Sequence, residues 1–192
     1  MIEVLTGTGL ATAAGLNAYI PLLAVGVLSR YSSVIEMPPL AWLGNGWVLL
    51  VLGALLIVEC VADKIPAVDH VNDMIQTVVR PLSAGLCFTA GAVTGTGQGP
   101  FGAEPGTAFG LGLAIGLIVH LLKATARSMV NTSTAGLGAP VVSMIEDLAA
   151  VTMTVLALLV PIGLLVVALG LGAAGTWLYL ARRDRARPVY PL

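Results

Sequence analysis

The run from 139 to 181, "APVVSMIEDLAAVTMTVLALLVPIGLLVVALGLGAAGTWLYLA", is almost wholly apolar, and Glu146 and Asp147 are its only charges. A helix crosses the hydrocarbon core of a bilayer in about 20 residues. The run is therefore too long for one crossing. Pro161 and Gly163 in "LVPIGLL" divide it, predicting two spans, 139–160 and 162–181, joined by a tight turn.

Four further spans can be drawn, at 5–29, 46–62, 81–98 and 106–123. The composition agrees, with 57% hydrophobic and 10% charged residues, where a soluble domain carries about a quarter charged. The expected fold class is all-α: a polytopic helical membrane protein with about six transmembrane helices in one domain, 1–181, followed by a basic tail, 182–192. The first partner this implies is the lipid bilayer. A net charge of −1 identifies no other, because the charges are segregated, and no nucleic acid is expected. "MIEVLTGTGL" lacks the basic start of a cleavable signal, and its apolar segment continues to spanning length. Cys60 and Cys87 lie in apolar sequence without CxxC spacing, so each reads as a buried, inert thiol.

Lys/Arg bias orients the chain. With both termini cytoplasmic, Lys64, Arg80, Lys123, Arg127, Arg182, Arg183, Arg185 and Arg187 fall inside, and only Arg30 falls outside. The tail "RRDRARPVYPL" reads first as a topology anchor and second as a contact for anionic lipid. Six spans also make two halves of three with opposite orientations, the inverted repeat of many transporters. Residues 7–23 and 106–122 align without a gap, though through Gly, Ala and Leu, which also signal close helix packing.

The charges are the informative exceptions. Over 67–80, a step of 100° per residue puts Asp69, Asn72, Asp73, Gln76 and Arg80 on one face and Val68, Val71, Ile75, Val78 and Val79 on the other. Pro66 suits the first turn of this amphipathic helix, and Pro81 is expected to end it. It either lies on the cytoplasmic leaflet or turns its polar face into a cavity; two Asp on that face fit a lipid surface poorly. Glu59 and Asp63 are one turn apart. His120, Lys123, Arg127 and Asn131, at i, i+3, i+7 and i+11, share a stripe at the end of the fourth span. Glu146 and Asp147 stand about two turns into the fifth.

A carboxylate in hydrocarbon costs roughly 2.5–3.5 kcal/mol. Charges at one depth are most cheaply explained if they meet. Six acids (Glu59, Asp63, Asp69, Asp73, Glu146, Asp147) face four bases (Lys64, Arg80, Lys123, Arg127), with His70 and His120 nearby. The surplus predicts carboxylates that are protonated or share a cation. A purely structural ion-pair network is the plainer alternative. In the first span, Pro21 removes one backbone hydrogen bond and crowds the carbonyl of Asn17. Transporters build mid-membrane sites on such openings, but proline kinks are commonly only mechanical, and that reading is preferred here.

Other motifs are weak. "GTGQGPFG" (95–102) lacks the strand and helix of a phosphate loop and reads as an outer loop. No Ser/His/Asp or Cys/His arrangement is evident. Glu59, Asp63 and Asp69 are an alternative ligand set for a divalent cation; no other cofactor is indicated, and catalytic residues cannot be assigned.

"GLNAYIPLL", "VADKIPAVDHVNDMIQTVVRP", "HLLKATARSMVNTST" and "SMIEDLAAV" together resemble the domain-of-unknown-function 4126 family of small bacterial membrane proteins, over about residues 5–180. The shared pattern is E-x-x-x-D-K-x-P-x-x-D with a later R-P, then H-x-x-K-A-x-x-R and E-D. It covers the charged residues above, together with Pro66 and Pro81. The position of Asn17 departs from the pattern, being often Arg in the family. The resemblance implies the bacterial cytoplasmic (inner) membrane and no established activity. The leading expectation is a small ion- or proton-coupled carrier, with Lys123, Arg127 and Arg80 able to hold an anionic lipid or phosphate-bearing substrate. The alternatives are a metal-dependent membrane enzyme acting on a lipid-linked phosphate, and a structural subunit. A homodimer is expected for so small a carrier.

Overall fold

The structure, a computed structural model, describes residues 2–31, 38–93 and 104–160, with Thr176. The described residues form helices and no strand: α1 (Ile2–Leu16), α2 (Tyr19–Tyr31), a 3-10 segment (Pro38–Gly44), α3 (Gly46–Ala62), α4 (Pro66–Ala92), α5 (Pro105–Thr134) and α6 (Ala139–Val160). Two of them, α5 and α6, are long and apolar enough to cross a membrane. The chain divides into a unit of Met1–Leu158, described below, and a unit of Leu159–Leu192. The expected span at 162–181, the Pro161 turn, the basic tail and the 95–102 loop lie outside the described residues.

Small side chains set the packing of α1, α4 and α5. An added Cβ on Gly91 of α4 would lie 2.7 Å from the backbone nitrogen of Gly7 on α1, and one on Gly112 of α5 would lie 2.5 Å from the carbonyl of Ala84 on α4. Such approaches let helix backbones pack closely where lipid gives no hydrophobic drive. Around them Leu10, Ala11, Ala14, Leu22, Phe88 and Ala108 make the buried core.

The helix ends differ from the sequence reading in three places. The span drawn at 5–29 is two helices, α1 and α2, broken at Asn17 and Ala18. Pro81 does not end a helix: it lies within α4, which joins the expected amphipathic segment to the expected third span. A proline inside a helix gives up a hydrogen bond and crowds the preceding turn. At this proline α5 packs closely: a Cβ added at Gly116 would sit 3.3 Å from Pro81 Cα and 2.3 Å from Ala84 Cβ. Finally, α5 continues well past 123, to Thr134. Ala135 then takes the left-handed conformation (φ 51°), Gly136 follows at φ 84°, and α6 begins at Ala139.

The amphipathic stretch of α4 faces the protein. Gln76 and Arg80 are buried, whereas Val68, Val71, Ile75 and Val78 are exposed. Along α3, Leu50, Ile57, Val58 and Val61 are exposed while Glu59 is buried, and along α6 Met144, Ile145 and Leu148 are exposed while Glu146 is buried. Apolar side chains outside and charged ones inside is the reverse of a water-soluble core.

A buried charge network as the candidate functional site

The break in the first span is the starting point. Asn17 Oδ1 accepts from the backbone nitrogens of Tyr19 (3.1 Å) and Ile20 (3.3 Å), capping α2. In a continuous helix Ile20 N–H would have bonded the carbonyl of Leu16. That carbonyl is instead taken by Lys123 Nζ of α5 at 2.7 Å, and the carbonyl of Ala18 accepts from Ser83 Oγ of α4 at 2.5 Å. Asn17 Nδ2 donates to Asp147 Oδ1 of α6 at 3.0 Å. The kink is thus more than mechanical: the polar groups it frees are tied to three other helices.

Those ties lead into the charges. Asp63, at the end of α3, accepts from Asn72 Nδ2 on Oδ1 (2.7 Å) and from Lys123 Nζ and Arg127 Nη2 on Oδ2 (both 3.3 Å), with Arg80 Nη2 at 3.6 Å. Glu146 Oε2 pairs with the same Arg127 Nη2 and with Lys123 Nζ at 3.3 Å. Asp63 and Glu146 therefore share two cations. Arg80 donates to Glu59 Oε1 through Nη2 (2.9 Å) and Nε (3.3 Å), while its Nη1 lies 3.7 Å from Asp73 Oδ1. Lys64 bonds the carbonyl of Cys60 at 2.7 Å and lies 3.8 Å from Asp147 Oδ2. Arg80 and Arg127 are among the largest fully buried side chains, with Glu59 and Asp63 beside them.

Hydrogen-bond logic also fixes His120. Arg80 Nη1, which can only donate, lies 3.2 Å from His120 Nδ1, so Nδ1 accepts. Thr77 Oγ1 gives its one proton to the carbonyl of Asp73 (2.8 Å) and lies 3.0 Å from His120 Nε2. Nε2 must therefore carry the hydrogen. His120 is a neutral imidazole, and donors run one way from Arg80 through His120 and Thr77 to the carbonyl of Asp73.

The network thus gathers Asn17, Glu59, Asp63, Asp73, Arg80, His120, Lys123, Arg127, Glu146 and Asp147. Asn131, one turn beyond Arg127, has a buried Oδ1 without a hydrogen-bond partner among the described residues, as has Ser143 Oγ on α6. The side chains of Asp69 and His70 lie outside the described residues, so the ligand set of Glu59, Asp63 and Asp69 is described only in part. Among the described residues no group of three or more His, Cys, Asp or Glu is placed to hold a metal ion. Both oxygens of Asp63 are instead occupied by nitrogen donors. Cys87 is buried, but Cys60 is only partly so, correcting the expectation of two buried thiols; its Sγ lies 3.7 Å from Asp147 Oδ2.

Four participants were not among the expected site residues: Asn72, Thr77, Lys64 and the carbonyl of Leu16. Asn72 was legible on the polar face of 67–80, and Lys64 in the charge count. Thr77 stands one residue past Gln76 and gave no signal, and a backbone carbonyl has no letter of its own.

A family model described as "Domain of unknown function (DUF4126)" matches residues 4–181. No curated protein and no solved structure matches the chain.

Proposed function

The chain belongs to the DUF4126 family, and we propose that it is a multi-pass inner-membrane carrier, coupled to protons or another small ion, with both termini cytoplasmic. In this reading the broken α1–α2 span, α3, α4, α5, α6 and the span at 162–181 make six crossings in two inverted halves. The outward apolar and inward charged faces suit a bilayer as solvent, because ionisable groups inside membranes face the protein interior and pair with one another.

The observation that carries the reading is the break at Asn17. The Leu16 carbonyl freed there is held by Lys123, and the Asn17 side chain by Asp147. Discontinuous helices whose exposed ends meet charged partners are how carriers form sites within the membrane. Stability alone gives little reason for such a network, since replacing a buried ion pair by well-packed apolar residues is often neutral or stabilising by about 1–4 kcal/mol. A network that shares Lys123 and Arg127 between Asp63 and Glu146 has alternative pairings of similar energy, which a carrier needs.

Purified protein in liposomes containing a pH-sensitive dye tests this. An imposed pH gradient should collapse faster than in protein-free vesicles when Na⁺, K⁺, Mg²⁺ or phosphate is supplied in turn. Asp63→Asn should abolish the effect while the protein stays folded. Vesicles as tight as protein-free ones with every one of these ions would overturn the reading.

A further inference from the structure

The carboxylates of the network are not equally provided for. Both oxygens of Asp63 have donors, Glu146 has Arg127 and Lys123, and Asp147 has Asn17 on one oxygen and Cys60 and Lys64 at the other. Asp73 is one-fifth exposed, and its Oδ1, buried and without a hydrogen-bond partner among the described residues, has Arg80 Nη1 3.7 Å away. Glu59 Oε1 takes both Arg80 bonds, while its Oε2 is buried and, among the described residues, without a hydrogen-bond partner. Gln76 Oε1, facing inward from α4, is likewise buried and unpartnered. Tyr19 of α2 links the two, its hydroxyl within reach of the Gln76 amide and in the field of Glu59 and Arg80.

Two buried acceptors without a donor are each costly, most of all where the group is charged. One proton on Glu59 Oε2 removes that cost, making the oxygen a donor beside the unpartnered Gln76 side chain. It also lowers the charge imbalance among the described side chains, where five carboxylates, Glu59, Asp63, Asp73, Glu146 and Asp147, meet four cations, Lys64, Arg80, Lys123 and Arg127. His120 cannot absorb that proton, because its Nδ1 faces an Arg80 donor.

We propose that Glu59 Oε2 is the exchangeable proton site of this network, with Gln76 Oε1 accepting the hydrogen bond of the protonated acid. The proposal rests on the carrier reading and names its coupling ion. In binding, hydronium transfers a proton to Oε2 and leaves as water; release returns the proton to water, with no electron transferred. The groups that act on Glu59 come from several packed elements: Tyr19 on α2, Asp63 after α3, Arg80 on α4 and Lys123 on α5, with Glu146 of α6 meeting that same Lys123 and Asp73 and His120 meeting that same Arg80. Arg80 favours the ionised form. A movement that swings Arg80 from Glu59 toward Asp63, already 3.6 Å away, or toward Asp73 tightens the hold on the proton.

Infrared difference spectroscopy on the full chain in lipid nanodiscs, stepped in pH, reads the proton directly. A carboxylic acid C=O band that shifts in D₂O is expected in the native protein and should be lost in Glu59→Gln. Because that variant could lose its fold, Gln76→Leu is the second arm: the band should remain and move to higher frequency as its hydrogen bond is lost. No such band, a band that persists in folded Glu59→Gln, or a band unmoved by Gln76→Leu overturns the proposal. So does a band that appears only when Na⁺ is withdrawn, which assigns the oxygen to a metal cation. A Glu59 band in a protein that leaves vesicles tight sinks the carrier reading and spares the proton site. Ion-driven flux without the band does the reverse.

Discussion

Replacing Arg127 with methionine removes the guanidinium and keeps most of the apolar stem. Arg127 Nη2 serves two acids, Glu146 and Asp63, the latter at 3.3 Å. At that distance a pair attracts by about 5 kcal/mol for an effective dielectric near 20. The net loss is smaller, because neither acid is fully stranded. Asp63 retains Asn72 at 2.7 Å, Lys123 at 3.3 Å and Arg80 at 3.6 Å, and Glu146 retains Lys123 at 3.3 Å. Breaking a buried pair commonly costs about 3–5 kcal/mol, and these remaining partners place Arg127→Met near 3 kcal/mol. Glu146→Gln alone should cost about 1–2 kcal/mol, since Arg127 still has Asp63. The double variant removes both the missing cation and one acid that needed it, so the two losses should fail to add by at least about 1 kcal/mol. Reversible unfolding in lipid–detergent micelles, followed by circular dichroism, measures all four corners of the cycle. Lys64→Met is the control: Lys64 and Asp147 are 3.8 Å apart with side chains 38% and 20% exposed, and its loss should stay below about 1 kcal/mol. Additivity of Arg127→Met and Glu146→Gln within about 0.5 kcal/mol would refute the shared-cation arrangement.

Asn17→Ala should cost about 1–2 kcal/mol in the same assay, by removing the α2 cap and the tie to Asp147. Asn17→Ser, which keeps a capping oxygen, should lose less. Gly116→Ala should destabilise by about 1–3 kcal/mol, because its Cβ would sit 2.3 Å from that of Ala84, whereas Gly110→Ala, into open space, should gain about 0.5–1 kcal/mol. In the folded protein a small maleimide should label partly buried Cys60 before buried Cys87, read by mass spectrometry. A tag after "RRDRAR" should resist protease added outside intact cells; digestion there would overturn the assigned orientation.

How far the letters carried depended on whether the deciding contact was local. Gly46–Ala62 and Ala139–Val160 could be read off because each is an apolar run between breakers, Asn45 and Gly46 at one, Pro161 beyond the other. Pro81 misled because its rule describes a proline in an isolated helix, whereas here α4 is packed closely against Gly116 of another helix. That charges at one depth should meet was a matter of cost, and the structure does bring Glu59, Asp63, Arg127 and Glu146 into one network. Which acid takes which base was not legible. Glu59 and Asp63 are one turn apart, yet Arg80 gives two hydrogen bonds to Glu59 while Lys123 and Arg127 go to Asp63. Such choices are set by helix rotation and register, which periodicity leaves open. The break at Asn17 was half visible: Pro21 announced a lost bond, but nothing in the letters pointed to Lys123 as the donor that replaces it.

If the carrier reading holds, the broken first span also has a history during synthesis. At 1.5 Å per residue, the 15 residues of α1 reach about 22 Å and the 13 of α2 about 20 Å, each short of a hydrocarbon core about 30 Å thick. When this segment leaves the ribosome, the donor for the Leu16 carbonyl is still 107 residues away and the partner of Asn17 is 130 away. At about 5–20 residues per second, those partners arrive on the order of 5–25 s later. Until then the Leu16 carbonyl lacks the donor that the finished protein gives it. In the carrier reading, the opening of the first span is thus satisfied by the last described helices, and a chain truncated before Lys123 should leave that carbonyl to water or lipid headgroups.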